Sequence, residues 1–119
     1  MVFDIFPPLR KLEHALVGRL SGGERRMVSV GRALMVDARL YLIDEPSLGL
    51  APKISASVIE ALFSLPQDGR AIVIAEQNAS FATSLAERLM VMENGRIVAE
   101  GPAQDIMARQ DVRRAYLGL

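Results

Sequence analysis

Two short uninterrupted apolar runs constrain the fold of this chain more than anything else. Leu40-Tyr41-Leu42-Ile43 stops abruptly at Asp44-Glu45-Pro46, and Ala71-Ile72-Val73-Ile74-Ala75 follows a turn at Asp68-Gly69. Runs of this length without polar alternation predict strands buried on both faces, as in a parallel sheet. Parallel neighbours need a crossover rather than a hairpin. The segment between the runs supplies one: Pro52 opens a helix with Ile54, Val58 and Leu62 on one stripe. The chain therefore reads as α/β. Its 119 residues, half of them hydrophobic, suffice for one small domain with a real core.

The remaining segments are read in the same way. Val2, Phe3, Ile5 and Phe6 form an apolar patch broken by Pro7-Pro8, after which Leu9, Leu12 and Leu16 recur at helical spacing. Ser21-Gly22-Gly23 is a turn able to cap a helix over Glu24–Met35, where Met27, Val30 and Leu34 share a face. Asn78 caps a helix running to about Ala86. Asn94-Gly95 between apolar runs is a hairpin signal, with Met90 and Met92 expected to pack. Two short helices, near Ala103–Arg109 and Asp111–Leu117, close the chain.

Charge and composition exclude several classes. Fourteen basic residues balance fourteen acidic ones, which gives no support to a nucleic-acid partner. There is no cysteine for a disulfide or thiolate metal site, and the single histidine, His14, suits a surface position. No apolar run approaches the roughly 20 residues that span a bilayer, and no secretion signal opens the chain. Any membrane association is expected to come through a partner.

Two constellations carry chemistry. In Leu20-Ser21-Gly22-Gly23-Glu24, glycines admit close approach of an anion to backbone N–H groups. The helix start adds orphan donors and a positive dipole end, and Ser21 adds a hydroxyl. Alone, Ser-Gly-Gly is equally a plain flexible turn. The second constellation is the acidic pair at the C-terminal end of the run 40–43, where open α/β sheets bind ligands. Phosphoryl transfer needs one carboxylate for Mg²⁺ and one group to orient the attacking water. Asp44 suits the first task and Glu45 the second; two solvated acids at a strand end are the plain alternative.

Taken together, these residues resemble the ATP-binding-cassette (ABC) family. Leu20–Glu24 is similar to the family signature and Leu40–Pro46 to its Walker B strand with the adjoining glutamate. Gly31-Arg32-Ala33-Leu34 fits the helix between them, Ser47–Pro52 the D-loop, Ala75–Ala79 the switch loop, and Glu93–Arg96 the late hairpin. Glu-Pro-Ser-Leu-Gly-Leu-Ala-Pro, Glu-Gln-Asn-Ala and Ala115–Gly118 resemble ATPase subunits of branched-chain (hydrophobic) amino acid importers. The resemblance implies the C-terminal half of a P-loop NTPase domain: a partial, mostly parallel sheet with flanking helices and a late β-hairpin. It divides the chain into a helical-subdomain part (1–38) and an ATPase-core part (39–119). It implies ATP and Mg²⁺ as cofactors, Glu45 and Gln77 as catalytic residues, and Asp44 as the Mg²⁺ ligand through water. Ser21, Gly22, Gly23 and Glu24 would meet the γ-phosphate of a nucleotide held by a second subunit. The implied partners are that second ATPase subunit, transmembrane permease subunits and, indirectly, a periplasmic amino acid-binding protein. The implied location is the cytoplasmic face of the cell membrane, with Val2–Phe6 a candidate contact with the membrane subunit.

Three departures qualify the resemblance. Gln77 stands where most relatives have a histidine, and it can donate a hydrogen bond but carries no charge. Ala51 stands where most have aspartate. No Gly-Lys pair occurs, so the phosphate-cradling Walker A loop is expected to lie outside these residues. The polypeptide is then expected to be N-terminally truncated and inactive alone. Two other readings stay open: an inert non-enzymatic fragment, and a DNA-repair or chromosome ATPase, which would normally add coiled coils.

Overall fold

The computed structural model describes residues 2–63, 65 and 69–117, which divide into two compact units, Met1–Glu76 and Gln77–Leu119. The first unit opens with two one-turn helices, α1 (Val2–Ile5) and α2 (Pro7–Arg10), and a 3₁₀ turn at Val17–Arg19. Helix α3 (Gly22–Leu34), strand β1 (Leu40–Asp44), helix α4 (Pro52–Phe63) and strand β2 (Ala71–Ala75) follow. The expected crossover is present: β1 and β2 pair in parallel, from Leu40 opposite Ala71 to Asp44 opposite Ala75.

Packing of α1, α3 and α4 makes the core of this unit. The periodic residues Met27, Val30 and Leu34 on α3 and Val58 and Leu62 on α4 are buried, with Phe6 0% exposed among them. Gly31 is buried where α3 meets α1; a Cβ there would stand 2.7 Å from Val2 Cγ1. Tyr41 is buried, and its hydroxyl donates to the Val36 carbonyl at 2.6 Å, anchoring β1 to the end of α3.

Three expectations are corrected here. The spacing of Leu9, Leu12 and Leu16 does not make one helix: Pro7-Pro8 starts a single turn, only Leu9 is buried, and Leu16 is exposed. The strands are not buried on both faces. Along β1, Tyr41 is 5% exposed but Leu42 72%, and on β2 Val73 is exposed as well. Side chains alternate across a sheet, and helices cover only the Tyr41 face of this two-stranded sheet. An apolar run reports the preference of each side chain but not whether a second layer is present. Met90 and Met92, expected to pack, are also exposed.

In the second unit α5 (Ala79–Leu85) leads to the antiparallel pair β3 (Arg88–Glu93) and β4 (Arg96–Pro102), then α6 (Ala103–Ala108) and α7 (Gln110–Val112), with a π-helical turn at Arg113–Leu117. Asn78 caps α5, its Oδ1 accepting from the Phe81 N–H at 3.1 Å. Asn94 and Gly95 both take the positive φ that a tight hairpin turn demands. Ala99, Ile106 and Val112 form the core, packed by Leu89, Val91 and Met107. At the Asp68-Gly69 turn, Gly69 has a φ of 68°, while Asp68 lies outside the described residues, as does Gly118 of the C-terminal Ala115–Gly118 segment.

Candidate functional site

The loop entering α3 is built by a reciprocal cap. Ser21 is the N-cap: its Oγ accepts from the Glu24 N–H at 3.3 Å, and Glu24 Oε2 accepts from the Ser21 N–H at 2.7 Å. This is the Ser-x-x-Glu capping box, which satisfies two donors at once. Hydrogen bonding to its carboxylate by Ser21, from the backbone N–H first and the hydroxyl second, holds the Glu24 carboxyl below its ordinary pKa. Arg25 closes the turn through its Nη1 donation to the Leu20 carbonyl at 2.9 Å. The N–H groups of Gly22 and Gly23 are left at the positive end of a 13-residue helix, with the Ser21 hydroxyl beside them. That is a donor set suited to an anion.

The two glycines differ. A Cβ on Gly22 would meet nothing within 4 Å, whereas one on Gly23 would stand 3.0 Å from the Gly49 carbonyl oxygen. Gly23→Ala is therefore expected to lose about 1–3 kcal/mol by overpacking against backbone. Gly22→Ala is expected to be neutral or to gain up to about 0.5–1 kcal/mol of helix preference. Urea denaturation of both variants checks this; equal effects would show that Gly23 and Gly49 are not in close contact.

Asp44 ends β1 and its side chain is exposed; its carbonyl accepts from Arg26 Nη1 at 3.3 Å, so α3 reaches the strand end. Glu45 follows with a φ of 46°, in the left-handed region. A non-glycine residue there costs of order 1–3 kcal/mol and persists only where its surroundings over-determine it. Here the Glu45 N–H donates to the Ala75 carbonyl at 2.8 Å, Pro46 is buried, and the Leu48 N–H donates to the Glu45 carbonyl at 3.1 Å. Strain of this kind concentrates at functional sites.

The structure thus gathers Ser21, Gly22, Gly23, Glu24, Asp44 and Glu45 on one unit, held together by the contacts at Gly23 and Arg26. Gln77 is exposed at the start of the other unit, just before the cap of α5. Among the described residues no group of three or more His, Asp or Glu side chains converges on a metal position. That donor set still fits Mg²⁺, which commonly takes one or two carboxylates and completes its shell with water and phosphate oxygens.

Two contacts at the site are not legible from local sequence: Arg26 Nη1 to the Asp44 carbonyl, and the one made by Glu76. Glu76 Oε2 accepts from the Ser47 N–H at 3.2 Å. The two residues are 29 positions apart, so no local spacing signals the contact.

Residues 7–48 match the family model described as ABC transporter, a span that includes the capped loop and both acids. The chain is 44% identical over 117 residues to the High-affinity branched-chain amino acid transport ATP-binding protein BraG of Pseudomonas aeruginosa, covering 98% of this chain and 50% of that protein. It is 35% identical over 111 residues to the Probable branched-chain amino acid transport ATP-binding protein LivG of Archaeoglobus fulgidus, covering 91% and 43%. A crystal structure of the ADP conformation of an ATP-binding cassette of an ABC transporter superposes with a TM-score of 0.68 at 31% identity, covering 99% of this chain and 49% of that one. The chain spans about half the length of the relatives it matches.

Proposed function

Because this chain belongs to the ABC transporter ATP-binding family and is most like branched-chain amino acid importers among the relatives above, we propose that it serves as the ATP-hydrolysing, energy-coupling part of such an importer. The observation that carries the reading is the left-handed Glu45, directly after Asp44 at the C-terminal end of a parallel strand. Glu45 orients the attacking water and accepts its proton. Asp44 holds Mg²⁺ through water; when bound, the ion neutralises charge on the phosphates. Gln77 donates an amide N–H toward the terminal phosphate.

The capped loop acts on a different nucleotide. Ser21 Oγ and the N–H groups of Gly22 and Gly23 donate to the terminal phosphate of ATP held by a second ATP-binding subunit, with the Glu24 carboxylate turned back to fix the loop. Residues 1–38 form the part that meets the permease and 39–119 the catalytic part. The permease-facing surface is the apolar groove of about 310 Å³ between the first three helices, lined by Val2, Phe3, Leu9, Leu12, Val28 and Met35. No helix among the described residues is long and apolar enough to cross a membrane. The proposed attachment is through permease subunits at the cytoplasmic face. A periplasmic amino acid-binding protein would act through the permease.

Residues 1–119 contain no Gly-Lys pair and hence no loop to cradle the β-phosphate. The 119-residue polypeptide alone is therefore expected to show no Mg²⁺-dependent ATP turnover in a phosphate-release assay. Turnover that Glu45→Gln abolishes would overturn this division of labour between the residues here and a separate phosphate loop.

A further inference from the structure

We propose that Glu76 is a positioning residue, which holds the strained turn that aims Glu45. Its part in the reaction rests on the function proposed above; its part in the turn does not. The turn after β1 is pinned from the end of β2 at two points. The Glu45 N–H meets the Ala75 carbonyl at 2.8 Å, and the Ser47 N–H meets Glu76 Oε2 at 3.2 Å. Between them stands Pro46, which has no N–H to donate. Ser47 is thus the first residue after Glu45 whose amide can be tethered. Hydrogen bonds to a charged acceptor are stronger than neutral ones, and the Glu76 side chain is only half-buried, reaching across from the neighbouring strand.

The backbone at Glu45 gains nothing locally from φ 46°, since glutamate has no preference for that region. Contacts on both sides of the residue help keep it there. Ala75 supplies one before the proline; after it, Glu76 holds Ser47 and the Leu48 N–H donates to the Glu45 carbonyl. Loosening the Glu76 contact lets the chain at 45–47 relax, moving the Glu45 carboxylate off the line it must hold toward an attacking water. Misplacement of a positioned group by about 1 Å costs up to about a hundredfold in rate.

The test uses Glu76→Ala and Glu76→Gln, the latter keeping an oxygen that accepts the Ser47 N–H. In Glu76→Ala, amide hydrogen exchange at Ser47 is expected to accelerate at least about tenfold. Exchange at Tyr41 and Ile43 in β1 should stay unchanged, and Glu76→Gln should restore protection at Ser47. In a subunit that also carries the phosphate-binding half of its relatives, Glu76→Ala is expected to lower kcat about tenfold with KM for ATP within about twofold. Glu76→Gln is expected to recover most of that loss. Unchanged exchange at Ser47, or exchange raised equally at Ser47, Tyr41 and Ile43, overturns the proposal. Faster Ser47 exchange with an unaltered kcat overturns the positioning role. Selective Ser47 exchange in a subunit whose unmodified form hydrolyses no ATP supports the tether and overturns the proposed function instead.

Discussion

Glu45→Gln, in a subunit that also carries the phosphate-binding half of its relatives, is expected to lower steady-state ATP turnover at least about a hundredfold while ATP binding persists. A positioned general base contributes about 10²–10⁴-fold. Glutamine keeps the size and the left-handed backbone but cannot take a proton. The trans arrangement gives this prediction a sharper form. If Ser21 acts on the nucleotide of the second subunit, placing Ser21→Ala on one protomer and Glu45→Gln on the other puts both defects at one composite site and spares the other. Placing both changes on one protomer spoils both sites. Phosphate release from the two mixed dimers should therefore differ, with turnover surviving only in the first. Turnover surviving only in the second would show that the capped loop and the acids of one protomer serve the same nucleotide. Glu45→Gly separates chemistry from strain: it should lose turnover as well, yet raise stability by about 1 kcal/mol, because glycine adopts a φ of 46° freely.

Phe6→Ala is expected to cost about 3–5 kcal/mol, a large share of a typical domain's 5–15 kcal/mol. Phe6 is wholly buried, and its ring lies 3.8 Å from where a Cβ on Gly31 would stand, so with Val2 it fills the space beside this glycine on α3. Alanine would leave a cavity beside Gly31 of α3 that the packed elements close only in part. The urea midpoint should fall sharply with the slope unchanged. Phe63→Ala, at the exposed end of α4, should stay within about 0.5 kcal/mol. A similar loss at both positions would mean that the packing around Phe6 does not organise the first unit.

The candidate site was legible in the sequence wherever its residues follow one another. Ser21 and Glu24 stand three apart, the spacing at which a helix start lets each side chain reach the other's N–H, and the structure forms both bonds. Asp44 and Glu45 were legible because an apolar run ends on them. The contacts that join these groups were not. Arg26 reaches Asp44 across 18 positions, and Gly23 abuts the Gly49 carbonyl. Nothing in the type of any of these residues requires its partner.

By itself the sequence determined the caps at Ser21 and Asn78, the Asn94-Gly95 turn, the buried stripes of α3 and α4 and the parallel crossover. Each depends on side chains within a few residues of one another, or on a periodicity that any neighbour would exploit. Only the tertiary structure decided that Leu42 and Val73 face outward, that Glu45 is left-handed, and that Glu76 tethers Ser47. Each of these is an energy shared between distant segments. Burial of a strand face requires a second layer, and a strained φ persists only when contacts from another strand outweigh its local cost.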